Sequence, residues 1–326
     1  MNRCKPSVSH ILLLAALLIV LLSIGIAAPS AAQDATPTAA PAPLPTMMPR
    51  PSPSSSVTVG NATLQLYFQT LPQGTTGLIS VTPNNGAVIA SLRAQFLDGL
   101  IDFFSAEDGY YALLAVDMEQ QTSRSVPLDV YVTYLDGTRE TVSTTVEIPV
   151  GAFIRQNVTL AGDKVYLLDV ETERNELAQL ESIFVNVTEQ KMWDSTGFQL
   201  PILSTLTSPF GAFRTFNDTV NTRHTGWDIQ ATMGTPIMAS AGGKVVFAAP
   251  LQIRGNHVVI DHGYGVYSTY SHMSVVHVTR GETVTKGQII GEVGANGRTS
   301  GPHFHWEIAV NGHFVDSVQF VEMWMP

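Results

Sequence analysis

The stretch Gly301-Pro302-His303-Phe304-His305-Trp306-Glu307-Ile308-Ala309 alternates polar and apolar side chains. Successive side chains of a β-strand point to opposite faces. His303, His305 and Glu307 therefore share one face, while Phe304, Trp306 and Ile308 take the other and can form core. The segment lies in a series of short strand-like pieces: Pro236–Ala239, Lys244–Ala248, His257–Asp261, Gln288–Val293 and His303–Ala309. Glycine turns such as Ala241-Gly242-Gly243, Gly263-Tyr264-Gly265 and Ala295-Asn296-Gly297 separate them. No helix longer than a turn is readable after residue 200. Residues 201–326 are predicted to be an antiparallel β domain.

Upstream stands a second pattern, His224-Thr225-Gly226-Trp227-Asp228. In an extended segment residues 224, 226 and 228 share a face, and Gly226 leaves room between an imidazole and a carboxylate. A third element is Tyr270-Ser271-His272. Eight of the nine histidines fall between His224 and His313, which concentrates the chemistry in this domain. Neutral imidazole nitrogens and a carboxylate oxygen at ~2.0–2.2 Å suit zinc, and three protein ligands leave a fourth position for water, the mark of a catalytic metal. The one cysteine, Cys4, lies near the start of the chain. A disulfide framework, a thiolate nucleophile, a Cys-ligated zinc and a cysteine-linked partner are thereby excluded from the body of the protein.

Within the 326 residues only 13% are charged and the net charge is −10. No block of Lys or Arg long enough to hold a phosphate backbone is present, so no nucleic-acid partner is expected. Residues 1–32 combine Arg3 and Lys5, an apolar run Ile11–Ala28, and small residues at Ser30 and Ala32. This reads as a cleaved signal peptide or, alternatively, an uncleaved signal-anchor in the membrane. Either way the chain is expected outside the cytoplasm. Residues 33–56 hold seven of the nineteen prolines and only two charges, Asp34 and Arg50, the composition of a disordered spacer.

Residues 57–150 alternate with period two: Leu128, Val130 and Val132 against Asp129, Tyr131 and Thr133. Asp136-Gly137 between Val130–Tyr134 and Thr141–Ile148 marks a hairpin. A β-sandwich of immunoglobulin-like type is expected here, without a titratable cluster. Residues 151–200 form a connector. In it Leu177, Leu180, Phe184 and Val187 place one apolar stripe on an amphipathic helix over 171–192.

Residues 204–320 resemble the lysostaphin-like zinc metallopeptidases, also called the LytM or duplicated-hybrid-motif family. The matching motifs are Arg223-His224-Thr225-Gly226-Trp227-Asp228-Ile229, Gly234-Thr235-Pro236, Gly255-Asn256-His257-Val258-Val259-Ile260-Asp261-His262-Gly263, Tyr270-Ser271-His272-Met273, Val284-Thr285-Lys286-Gly287-Gln288 and Gly301-Pro302-His303-Phe304-His305-Trp306-Glu307. The resemblance implies a β barrel-sandwich hybrid fold and one zinc ion held by His224, Asp228 and His305. It also implies His272 and His303 as catalytic histidines. The implied substrates are peptide bonds of bacterial peptidoglycan, in cross-bridges or stem peptides. His257, His262, His277 and His313 read as strand or turn residues, and Glu307 as a residue behind the site. Ala295-Asn296-Gly297-Arg298 departs from the family, which usually has Thr-Gly. Two rivals remain: a non-catalytic scaffold that binds the wall or activates another hydrolase, and a biotinyl- or lipoyl-type carrier suggested by Lys286. The carrier leaves five placed histidines unexplained.

Overall fold

The computed structural model describes residues 44–326. The leader and residues 33–43 of the spacer lie outside the described residues. Within them no helix is long and apolar enough to cross a membrane.

The predicted alternation produces two facing antiparallel sheets. One orders β1 (Ser55–Val59), β2 (Ala62–Leu66), β3 (Thr76–Pro83), β7 (Gly109–Ala115) and β6 (Phe104–Ala106). The other orders β5 (Gly99–Asp102), β4 (Ile89–Phe96), β8 (Ser123–Tyr134) and β9 (Arg139–Ile148). Leu128, Val130, Val132 and Tyr134 of β8 point inward against Leu64, Ile79, Val81 and Leu114 of the first sheet. The β8–β9 hairpin turns at Leu135–Thr138, where Gly137 takes φ 87°, a conformation that glycine adopts without a Cβ clash.

The first sheet is covered on both faces. Leu78 and Ile79 are neighbours on β3 with side chains on opposite faces, and both are buried. Leu78, Phe104, Tyr111 and Leu113 join the core of the C-terminal half, where Phe104 meets Trp193 edge-to-face with centroids 5.2 Å apart. The end of the expected spacer is docked as well. Met48 N donates to Glu322 O at 2.9 Å, and the Arg50 guanidinium pairs with Asp108, donates to Tyr111 Oη (3.0 Å) and covers the Trp324 ring. An isolated arginine among prolines finds both a carboxylate and an aromatic face, which fixes backbone that the prolines alone would leave extended and solvated.

The connector holds β10 (Arg155–Val158), a 3-10 segment Gly162–Leu168 and helix α1 (Val170–Phe184). Asp169 caps α1 by accepting from Thr172 N at 2.9 Å. Leu180 and Phe184 are buried as predicted, but the helix stops at Phe184, so Val187 is exposed beyond its end. Asn186 Nδ2 donates to the Ser182 and Ile183 carbonyls, closing the last turn, and the β-branched Val185, Val187 and Thr188 do not favour extending it.

In the C-terminal half, β11 (Leu206–Ser208), β14 (Trp227–Ile229), β21 (Phe304–Val310), β18 (Val266–Val276), β17 (Gly255–Gly263), β16 (Gly243–Leu251) and β19 (Thr283–Val284) pair antiparallel in that order. β15 (Pro236–Met238), β20 (Ile289–Val293) and β22 (His313–Val315) branch from this path. Among the described residues no closed barrel forms. A hairpin of β12 (Phe213–Phe216) and β13 (Val220–Arg223) pairs with β10 as a separate three-stranded sheet. The short helix α2 (Ser317–Glu322), a turn and a half that the sequence reading omitted, is capped by Asp316. β21 carries Phe304, Trp306 and Ile308 into the core, all fully buried. Its neighbours β14 and β18 set Asp228 and Ser271 directly opposite His305.

Candidate metal centre

His224 follows β13 and Asp228 lies on β14, so the turn between them crosses the backbone of β21. A Cβ on Gly226 would lie 2.3 Å from Trp306 O; only glycine permits that approach. The turn brings His224 Nε2 to 3.1 Å from Asp228 Oδ1 and 3.0 Å from His305 Nδ1. His305 Nδ1 is 2.9 Å from the same Asp228 oxygen. The three predicted ligand atoms thus converge, and all three residues are buried.

Their hydrogen-bond partners decide what these atoms offer. His224 Nδ1 is 2.7 Å from Pro209 O, a carbonyl that only accepts, so Nδ1 carries the proton and Nε2 presents its lone pair. His305 Nε2 is 3.1 Å from Glu307 Oε1, which leaves Nδ1 facing the cluster. Two imidazole lone pairs and a carboxylate oxygen about 3 Å apart repel one another unless a cation sits among them. The donor set and its outer hydrogen bonds fit zinc, for which histidine ligands regularly donate their other N–H to a carboxylate or carbonyl.

Electrostatics agree with this arrangement. Burial pushes the His224 imidazole down to about 4, so it is neutral at pH 7. Burial would raise the Asp228 carboxyl, but the charge and hydrogen bonds of the surrounding histidines outweigh it and hold the group well below its usual range. Asp228 divides its oxygens: Oδ1 faces the histidines and Oδ2 pairs with Arg214, whose Nη2 also donates to Ser208 Oγ at 2.7 Å. For His305 burial acts downward, yet Glu307 and Asp228 prevail and raise it, so a proton and a cation compete for Nδ1.

His272 and His303 stand beside the cluster, with ring centroids 5.0 Å apart. The β17–β18 ladder slips between Asn256/Met273 and Val258/Tyr270, a bulge in which His272 adopts φ 59°. Such bulges re-aim a side chain, and the left-handed backbone is local strain held by its surroundings. His272 Nδ1 donates to Asn296 O at 2.7 Å, so Nε2 is its free nitrogen. Burial, then the neighbouring His303 and His305, hold this imidazole well below its ordinary value. His303 Nδ1 lies 2.9 Å from Gly301 O, and its Nε2 is 3.5 Å from Asp228 Oδ1.

Several residues behind the site were not singled out from the sequence. Glu307, read only as a residue behind the site, is fully buried. It accepts from His305, from Arg254 Nη2 (2.9 Å), from Thr225 Oγ1 (2.5 Å) and from Thr269 Oγ1. Burial acts to raise its carboxyl, but Arg254 and His305 overcome this and hold it well below the carboxylate range. From α1, Glu173 forks onto Arg298 at 2.6 and 2.7 Å, while Glu176 accepts from the backbone N–H of Ile253 and Arg254. Arg254 and Arg298 adjoin or fall within the quoted motifs. In a chain so poor in charge, that adjacency was the available signal. His257 and His262 are buried strand residues hydrogen-bonded to Ser271 and Ser268, and His277 and His313 are half-exposed beside Glu292 and Asp117. None of the four joins the cluster.

A cleft of about 510 Å³ opens beside the cluster. Gln156 to Thr159 form one wall, and Thr299, Ser300 and His303 line it with Arg214, Asp228 and His272.

Residues 222–317 match the model of peptidase family M23. Among curated proteins, the DD-carboxypeptidase/endopeptidase Mpg of Neisseria meningitidis serogroup B is 43% identical over 95 residues, 29% of this chain and 22% of that protein. The peptidoglycan DD-endopeptidase ShyA of Vibrio cholerae serotype O1 is 40% identical over 96 residues, again 29% and 22%. The match thus spans about a fifth of the length of these relatives. A crystal structure of a putative peptidase M23 from Pseudomonas aeruginosa is 23% identical, with a TM-score of 0.57 over 78% of this chain and 95% of that one. At that identity the likeness shows the fold.

Proposed function

From a chain that carries a peptidase family M23 domain at residues 222–317, we propose an exported zinc metalloendopeptidase that hydrolyses peptide bonds of bacterial peptidoglycan. The observation that carries this reading is the convergence of His224 Nε2, Asp228 Oδ1 and His305 Nδ1, with His272 and His303 at its edge. The relative from Vibrio cholerae is named as a peptidoglycan DD-endopeptidase, which supports the substrate class and a place outside the cytoplasm.

His224, Asp228 and His305 are the residues that would hold one zinc ion. When bound, zinc supplies Lewis-acid polarisation of the scissile carbonyl and lowers the pKa of water to about 7. The chain's own groups complete the chemistry. His272, neutral and with Nε2 free, accepts a proton from the attacking water and returns it to the leaving amine. His303, with Nδ1 donating to Gly301 O, offers the Nε2 lone pair as a second acceptor for the proton of the attacking water. Asp228 stays ionised through Arg214 and the histidines. Glu307 keeps His305 in the tautomer with Nδ1 toward the site. We infer further that the C-terminal domain is a barrel-sandwich hybrid, and that the two N-terminal sheets are an immunoglobulin-like module for spacing or wall contact.

The test is digestion of purified peptidoglycans of different bridge chemistry by the full chain, with and without a zinc chelator. Chelator-sensitive release of peptide fragments, identified by mass spectrometry, is expected. Bound zinc without any cleavage would favour the scaffold instead.

A further inference from the structure

The connector strand β10 runs along the cleft and has a free edge. Among the described residues it pairs on one side only, parallel to β12, with Arg155, Gln156, Asn157 and Val158 opposite Phe213, Arg214, Thr215 and Phe216. Phe213 N donates to Ile154 O at 2.8 Å and Asn217 N to Val158 O at 3.0 Å. In a parallel ladder alternate residues bond to one neighbour. Residues 154, 156 and 158 therefore face β12, and the main-chain N–H and C=O groups of Arg155, Asn157 and Thr159 point the other way. Arg155, Asn157 and Thr159 are exposed residues, and Asn157 and Thr159 line the cleft together with Gln156, Val158, His272 and His303. Proteins usually blunt an exposed edge with proline, charged side chains or a bulge. Ile154-Arg155-Gln156-Asn157-Val158-Thr159 carries no proline and no bulge, and its one charge, Arg155, lies over the Phe213 ring.

This edge is also held firmly against the site. Gln156 Oε1 accepts from Ser208 Oγ at 2.7 Å, and Ser208 in turn binds the Arg214 that pairs with Asp228. Lys164 Nζ donates to the carbonyls of Ala295 and Thr299, and Glu173 clamps Arg298. The connector thus reaches Asp228 through Ser208 and Arg214 and directly holds the loop that leads to His303.

We propose that the outward edge of Arg155–Thr159 is the docking strand for the peptide cleaved at this site. The substrate lies extended and pairs its backbone N–H and C=O groups with Arg155, Asn157 and Thr159, so that the connector is part of the substrate cleft. Main-chain pairing of this kind supplies affinity with little demand on side-chain identity. The inference rests on the peptidase reading above, because the occupant is identified by the histidines that share its cleft.

The experiment uses the zinc-loaded full chain and a synthetic peptide matching a fragment released from peptidoglycan. Asn157→Pro removes a single outward N–H, and proline is tolerated on an edge strand where that N–H faces away from the sheet. A net hydrogen bond corresponds to about a two- to tenfold effect. The variant is expected to raise KM by that factor while keeping its bound zinc and its thermal midpoint. A second measurement needs no variant: peptides in which one backbone N–H at a time is replaced by an ester oxygen are given to the wild-type chain. Loss of kcat/KM by a similar factor at alternate positions only is the signature of strand pairing. A folded, zinc-replete Asn157→Pro chain with unchanged KM, or an ester series without the two-residue period, overturns the docking strand. If Asn157→Pro does not fold, the ester series decides alone. A wild-type chain that cleaves no wall peptide overturns the peptidase reading, and the docking strand with it.

Discussion

Glu307→Ala removes one carboxylate that holds both Arg254 and His305. The carboxylate is fully buried and accepts from Arg254, His305, Thr225 and Thr269. Without it the Arg254 guanidinium, itself only 7% exposed, keeps one long hydrogen bond, to Thr225 Oγ1 at 3.4 Å, beside the Phe314 ring and the more distant carboxylates of Glu176 and Glu173. Breaking a buried ion pair from one side costs roughly 3–5 kcal/mol, because the remaining charge is left without compensation. The same substitution frees His305 Nε2, so the imidazole can rotate or change tautomer. Loss of an outer partner of a ligating histidine typically weakens metal binding about 10–100-fold. Urea unfolding of the zinc-free protein reads the first quantity, and chelator-competition titration of the folded protein reads the second. Glu307→Gln keeps the shape and one acceptor oxygen, so it should fall between wild type and alanine in both assays. An alanine variant within about 1 kcal/mol of wild-type stability and about twofold of its zinc affinity would refute the positioning role.

Asp228→Ala or His305→Ala should each lower bound zinc, measured by metal analysis after dialysis; stoichiometric zinc in both would sink the ligand assignment. His272→Ala and His303→Ala should keep their zinc yet lose on the order of 10²–10⁴-fold in peptidoglycan cleavage, with the double variant little worse than the worse single one. A zinc-replete His303→Ala chain that cleaves at near wild-type rate would show its role to be wrong. Burial pushes His257 down to about 3 and His262 down to about 4, from ordinary values of 6.5. Between pH 6.5 and 4 the unfolded chain therefore binds more protons than the folded one, so stability is fully present above 6.5 and falls as the pH is lowered through that window. Thermal scans of a His262→Gln variant should show a shallower acid limb than wild type; an identical slope would remove His262 from that account.

Much of the strand pattern was readable because it is local. The hairpin around Gly137, the strands of the C-terminal half and the split of β21 into a core face and a site face all follow from period two and glycine turns over fewer than twenty residues. The covering of the first sheet was less readable. Leu78 and Ile79 side by side signal a strand buried on both faces, but nothing adjacent in sequence names the second cover, which comes from Trp193 and Phe198. The end of α1 was misjudged for the same reason. The apolar stripe continues to Val187, while the Asn186 side chain, which closes the helix, competes locally with the next turn.

The centre divides in the same way. His224, Asp228, His272, His303 and His305 lie in short motifs, so their residue types and spacing made them candidates before any contact was known. The groups that make those five usable are brought in by tertiary structure. Arg254 meets Glu307 across 53 residues and Arg298 meets Glu173 across 125, the second pair joining the connector to the histidine loop. A carboxylate on an amphipathic helix ordinarily reads as a solvated face, and nothing local marks Glu173 or Glu176 as different. Their burial against the site loops makes α1 and β10 part of the working unit. Residues 222–317 therefore hold the candidate ligands and the flanking histidines, while Arg214, Gln156, Lys164, Glu173 and Glu176, all upstream of them, hold those groups in place. A fragment cut at residue 200 would keep every motif residue and lose the wall of the cleft together with the clamp on Arg298. Such a fragment should bind zinc through the same three residues but cleave an extended peptide with a higher KM than the full chain, and equal KM values would place the whole of substrate binding within the motif-bearing domain.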